Sequence, residues 1–164
     1  MKVAEIVMGV GIATCGLGCT GLPNSPVYSL EAAPVSEVRT ETDARTSAGD
    51  WGTFFQYFNE ATPIVDDVNV GVAKIKAGGF APHPPHKHAE EEYIIVLKGR
   101  GTWYLNGETF PAKEGDVLYA KAWDYHGIKS DPESPLDFYI VKYTGTGMEM
   151  PPDPDPSQPL EVPF

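Results

Sequence analysis

Four histidines occur in the chain, and three of them, His83, His86 and His88, fall within six residues beside the acidic run Glu90-Glu91-Glu92. The fourth, His126, stands alone. On an extended chain, side chains two residues apart project to the same side, so His86 and His88 present their imidazoles together. Glu92 lies four residues further on with the same parity. If the intervening chain stays extended, Glu90 shares that side as well. Three imidazoles and one carboxylate form a donor set for one divalent transition metal, with iron, manganese, nickel, cobalt, copper and zinc all suitable. A six-coordinate ion held in this way keeps two positions open. The plainer reading of the same residues is a solvated, His-rich loop beside a charge run.

The neighbours of these groups carry readings of their own. His83 is flanked by Pro82, Pro84 and Pro85. It is either an exposed loop residue or, since an ordinary imidazole titrates near neutrality, a catalytic general acid/base at a pocket mouth. By parity with Glu92, Tyr93 faces outwards, while Ile94 and Val96 face inwards and make the interior apolar. Trp123 and Tyr125 immediately precede His126, so they supply either an aromatic wall to a substrate pocket or core packing. Lys74, Lys76, Lys98 and Arg100 either steer an anionic substrate or sit solvated on an outer face.

Short strands must position these groups. Val70 to Ala77, Glu92 to Lys98, Thr102 to Leu105, Asp116 to Ala120 and Asp137 to Tyr143 are rich in β-branched and aromatic residues. Gly78-Gly79, Gly99, Asn106-Gly107, Glu114-Gly115 and Asp131-Pro132 separate them as turns. Asn106-Gly107 between two such runs is a strong hairpin signal. Seventeen glycines and sixteen prolines are too many for a helical bundle. The pattern is all-β, a sandwich or barrel.

At this point the chain resembles the cupin superfamily. The first cupin motif, a glycine, a short spacer, His-x-His, three or four residues, Glu, six residues and Gly, is matched by Gly79, His86-Lys87-His88, Glu92 and Gly99, with one additional residue before His86. In the second motif Gly115, Asp116 and His126 fall in register, while Lys121, Trp123 and Ser130 stand where Pro, Gly and Asn are usual. The resemblance covers about residues 68–145. It implies a single jelly-roll β-barrel with the metal inside, held by His86, His88, Glu92 and His126, and it selects Glu92 over Glu90 and Glu91. Cupins include dioxygenases, isomerases, lyases, hydrolases and pure binding proteins. The expectation is a mononuclear metal-dependent enzyme of dioxygenase type that acts on a chelating, oxygen-rich small molecule. The alternatives are a non-catalytic exported cupin that binds a sugar acid or another metabolite, and a metal-dependent isomerase or lyase. Cupin lyases that cleave dimethylsulfoniopropionate carry a Tyr where Ile94 stands, which argues against that reaction. Cupins commonly pair barrel edges, so a homodimer is expected.

The rest of the chain flanks this barrel. The formal net charge of −11 argues against nucleic acid as a partner. The acidity is concentrated in residues 1–67 and 146–164, leaving 68–145 nearly neutral. Residues 1–19 read as an export signal, too short to serve comfortably as a transmembrane helix. Leu17-Gly18-Cys19 resembles the end of a lipobox, which would place a lipid anchor at Cys19 and make the protein periplasmic or membrane-anchored. Both cysteines, Cys15 and Cys19, lie in this segment, so the body has no thiolate chemistry. Residues 20–50 read as a linker, 51–145 as the barrel and 146–164 as a Pro-rich acidic tail.

Overall fold

Alternating apolar and polar residues organise the body of the chain into strands. The computed structural model describes residues 36–62, 64–81, 83–145 and 147–164. The expected export signal, with Cys15 and Cys19, lies outside the described residues. Eight strands follow in chain order: β1 (Arg45–Gly49), β2 (Gly52–Asn59), β3 (Val65–Ile75), β4 (Glu91–Leu105), β5 (Glu108–Lys113), β6 (Val117–Ala120), β7 (His126–Ser130) and β8 (Leu136–Gly145). Among the described residues there is no helix, so none is long and apolar enough to cross a membrane.

All pairings are antiparallel, in the order β1-β2-β3-β8-β4-β5, with β6 and β7 also paired to β4. β4 is the hinge of the jelly roll. Its first half pairs with β8 and β6, and its second half with β5 and β7. The two halves were expected as separate strands, because Gly99 reads as a turn. Instead, Gly99 takes a φ of 88° beside a bulge between Val96 and Lys98 and bends the strand without ending it. A Cβ at Gly99 would come within 2.0 Å of the Pro135 carbonyl oxygen, so the bend also requires close backbone approach. Asn106 and Gly107, both at positive φ (48° and 91°), close the expected hairpin between β4 and β5. β1 lies inside the stretch read as linker, where it pairs with β2 from Gly49↔Gly52 to Arg45↔Gln56.

Directly opposed residues on neighbouring strands point to the same face, so the register stacks the interior in rows. The deepest row is Gly52, Ile75, Leu136 and Gly99; above it lie Phe54, Ala73, Phe138 and Val96, then Gln56, Gly71, Ile140 and Ile94. Gly71 leaves room for Phe54, whose ring would stand 2.3 Å from an added Cβ. Trp103, Ala112 and Ile128 complete the buried cluster from the other sheet. Each fully buried Leu, Ile or Phe here contributes about 1.5–3 kcal/mol. The row above, Asn69, Lys142 and Glu92, is polar, so the barrel is sealed with hydrocarbon at one end and gathers polar side chains at the other.

Residues 148–164 run back over the outside of the polar end. The Lys87 amide donates to the Leu160 carbonyl at 2.9 Å, and the Val162 amide donates to the Pro85 carbonyl at 2.8 Å. Phe164 packs edge-on against Phe80, with ring centres 5.3 Å apart.

Candidate metal centre

Glu92 occupies the first fully buried position of β4, and His126 opens β7. His86 joins them through a two-bond backbone bridge to His126, with N–H···O distances of 3.0 and 2.9 Å in the two directions. Two residues on, the His88 carbonyl accepts from the Trp123 amide at 2.7 Å. These links bring one donor atom from each of His86, His88, Glu92 and His126 within 4.8 Å of the others.

The hydrogen bonds fix what each ring offers. The Nδ1 atoms of His88 and His126 lie 3.0 and 2.8 Å from the carbonyl oxygens of Glu90 and Asp124. A carbonyl oxygen only accepts, so both Nδ1 atoms carry the proton and donate. A neutral ring of that tautomer presents its lone pair at Nε2. Both Nε2 atoms face a single oxygen, Glu92 Oε2, at 2.9 and 3.2 Å. Lone pairs converging at such distances require an added proton or a cation among them. The Nδ1 of His86 is buried and has no hydrogen-bond partner. An imidazole with an orphaned nitrogen, set in one cluster with two aimed Nε2 atoms and a carboxylate, fits a first-row divalent ion, and the carbonyls behind His88 and His126 are the supports such ligands use.

The protonation states agree with that fit. Burial, followed by the neighbouring imidazoles of His83, His126 and His88, pushes the His86 pKa down to about 3, so the ring is neutral near pH 7. Burial pushes the Glu92 carboxyl upward, but in the metal-free site an added proton shared with the Nε2 atoms of His126 and His88 outweighs it and holds the group below the usual carboxylate range. Neutral imidazole and ionised carboxylate are the states that bind a metal. Glu90 stands one step back. One of its carboxylate oxygens lies 3.2 Å from His88 Nδ1 and the other 3.4 Å from Lys142 Nζ. Its place is behind His88, which separates its role from that of Glu92.

A cavity of about 140 Å³ opens onto His86, Glu92 and His126. Its walls are largely apolar, formed by Phe54, Ala73, Ala81, Ile94, Ile128, Phe138 and Ile140, with Asn69, His83 and Lys142 as the further polar groups. His83 and Ile94 both line this cavity. The His83 ring stands edge-on to His86, with centres 4.0 Å apart. Val96 sits one row deeper, in the row of Phe138, is buried to 1% exposure, and does not reach the cavity.

Trp123 and Tyr125 correct the expected aromatic wall. They stand away from the cavity and meet the C-terminal tail, where Trp123 Nε1 donates to the Pro151 carbonyl at 2.7 Å and Tyr125 donates its hydroxyl proton to the Pro159 carbonyl. Lys87 lies against both rings, buried to 4% exposure, and pairs with Asp153 at 2.8 Å. The cause is parity. With His86 and His126 turned inwards, Lys87 and Tyr125 turn outwards, and the tail supplies acceptors for their polar tips. Lys74, Lys76, Lys98 and Arg100 also lie off the cavity; Arg100, for example, pairs with Asp131 at 3.1 Å. The cavity's cation is Lys142, which the sequence reading missed. Its signal was the alternation Leu136, Phe138, Ile140, Lys142, which places it on the inward face.

Comparison with known proteins agrees with this architecture. A family model described as a cupin domain matches residues 71–142. An RmlC-like cupin from Shewanella frigidimarina is similar in structure at 12% identity, covering 69% of this chain and 95% of that one, with a TM-score of 0.56. A predicted oxalate decarboxylase from Thermotoga maritima (20% identity, 66% and 99% coverage, TM-score 0.55) and the polyketide cyclase RemF from Streptomyces resistomycificus (18%, 76% and 95%, 0.54) are similar as well. At these identities the likeness concerns the fold. The HTH-type transcriptional activator RhaR of Mannheimia succiniciproducens is 31% identical over 61 residues, 37% of this chain. The chain spans about a fifth of the length of that curated relative, 22%.

Proposed function

We propose, from the match of residues 71–142 to the cupin domain family, that His86, His88, Glu92 and His126 hold one divalent transition ion in an exported, mononuclear enzyme of dioxygenase type. Its substrate is a small, chelating, oxygen-rich molecule. The observation that carries the reading is the convergence of two committed Nε2 atoms on Glu92 Oε2, in one cluster with His86, whose buried Nδ1 has no partner. When bound, such an ion polarises a chelating substrate and brings it together with a second reactant. The chain's own residues do the rest. The apolar walls formed by Phe54, Ile94, Phe138 and Ile140 exclude water from the reacting side. Glu90 and Asp124 orient the rings of His88 and His126 from behind.

The test has two stages. Untagged wild type should carry near-stoichiometric metal, and a His86→Ala/His126→Ala double variant should carry almost none. Metal-loaded wild type should then consume oxygen with a member of a panel of catechols, flavonols, diketones and thiols. A wild type that stays metal-free and refuses added metal would sink the metal reading. Turnover without oxygen consumption would remove the dioxygenase assignment and leave the metal centre standing.

A second reading, a metal-dependent isomerase or lyase, is favoured by His83, an imidazole on the cavity wall outside the four-donor group. Solvent deuterium entering the product, and its loss in a His83→Asn variant, would distinguish proton transfer from oxygenation.

A further inference from the structure

The polar row above the core has a composition that the metal reading does not use. Asn69, Lys142 and Glu92 lie directly opposite one another across β3, β8 and β4, so all three side chains share the inward face. All three line the cavity. A lysine on an inward-facing barrel position is costly unless its charge has a partner. Here the partner is Glu90, whose nearest oxygen lies 3.4 Å from Lys142 Nζ, a long contact for a charge-assisted hydrogen bond. The ammonium has three protons, so this contact leaves donor capacity facing the cavity. Asn69 contributes a second donor. Its Oδ1 accepts from Gln56 Nε2 at 3.1 Å, which turns the oxygen towards Gln56 and leaves the NH2 group available to donate.

The lining decides the kind of ligand. The Lys142 ammonium and the Asn69 NH2 group offer hydrogen-bond donors from one inward row, beside the four donors that would hold an ion, and the walls of the small cavity around them are largely apolar. Donors to an oxyanion set in apolar walls suit a carboxylate carried on a short hydrocarbon body. We propose that Lys142, assisted by Asn69, is the recognition group for a ligand carboxylate, and that the molecule taken into this cavity is a small organic acid whose hydrocarbon part lies against Ile140 and Ile94. This inference rests on the metal reading above and narrows its substrate class.

The test uses nickel as the metal, 2-hydroxyisobutyrate as the acid and 2-hydroxyisobutyramide as its uncharged counterpart. Binding of each is measured by calorimetry to nickel-loaded wild type, Lys142→Met and Asn69→Asp, after nickel content has been matched. The expected result is that Lys142→Met binds the acid at least about tenfold more weakly, the size of one charge-assisted hydrogen bond, while its affinity for the amide is unchanged. Asn69→Asp, which adds a negative charge to the row, should weaken the acid and spare the amide. Equal affinity of wild type and Lys142→Met for the acid would overturn the proposal, as would an equal loss for acid and amide. Wild type that takes up no nickel would overturn the metal reading and this inference with it, an outcome that the nickel titration alone reports.

Discussion

The four donors are held by two different kinds of structure. Glu92 and His126 belong to β4 and β7, whose hydrogen-bonded ladders and apolar neighbours bury them to 6% and 1% exposure. His86 and His88 sit on a segment that has no strand ladder of its own. It is fixed by the bridge to His126 on one side and by the C-terminal tail on the other. Half of the site is therefore a consequence of the barrel, and half depends on a Pro-rich segment docked through a few hydrogen bonds and one shielded ion pair. Such a division predicts that global stability and the retention of metal separate, with loss of the tail loosening the His86–His88 segment and leaving the barrel folded.

The largest effect expected from breaking this comparison is on the sheet side. Phe138 lies in the row between the sealed core and the cavity at 3% exposure, and Phe138→Ala should cost about 3–5 kcal/mol in urea unfolding. A cost below about 1 kcal/mol would mean that the row is not packed as described.

Next comes pH, which reads the two sides in different windows. The His86 pKa, at about 3 against an ordinary 6.5, means that the unfolded chain takes up a proton the folded chain refuses. Its contribution to stability is therefore lost progressively as pH falls below 6.5. Glu92, held below its ordinary 4.5, adds a loss of the same sign, which begins only nearer that lower value. In metal-free protein the urea midpoint should fall with pH through both windows. His86→Phe should flatten the upper window alone, and an unchanged slope there would assign the upper window to other groups.

Tail removal comes third. A chain ending at Gly147 should release nickel to a chelator about tenfold faster than wild type, the consequence of a few lost hydrogen bonds at the His86–His88 segment. Its urea midpoint should move less than that of Phe138→Ala. A deletion that unfolds the barrel, or one that leaves the release rate unchanged, would refute the division. The smallest effect belongs to Lys87→Met, which keeps the stem and removes the ammonium from Asp153, Trp123 and Tyr125. Release should quicken by several-fold, and by less than after deletion.

The second cupin motif shows how a departure in sequence can leave geometry intact. Trp123 stands where the family carries Gly, and its backbone keeps a φ of 67°, a conformation that costs a non-glycine residue about 1–3 kcal/mol. Its Nε1 bond to Pro151 and its contact with Lys87 hold it there. Ser130, in place of the usual Asn, is buried and donates to the Lys76 carbonyl at 2.6 Å while accepting from the Gly79 amide at 2.9 Å. It ties the start of the first motif to the end of the second.

The donor set was legible from sequence because it rests on local rules. Two-residue parity joins His86 to His88, and family spacing carries the selection on to Glu92 and His126. The Asn106-Gly107 hairpin and the inward Ile94 were legible for the same reason, since turn chemistry and strand alternation act over a few residues. What the tertiary structure alone decided depends on register and on distant segments. Lys142 enters the cavity because β8 pairs with β4 so that it lies opposite Glu92, and that offset involves residues fifty positions apart. Trp123 and Tyr125 face the tail and not the pocket because residues 150–160 return to cover them. Sequence alternation determined which residues could share a face, whereas the pairing of distant strands and the docking of the tail decided which faces meet, since each is settled by packing over the whole chain.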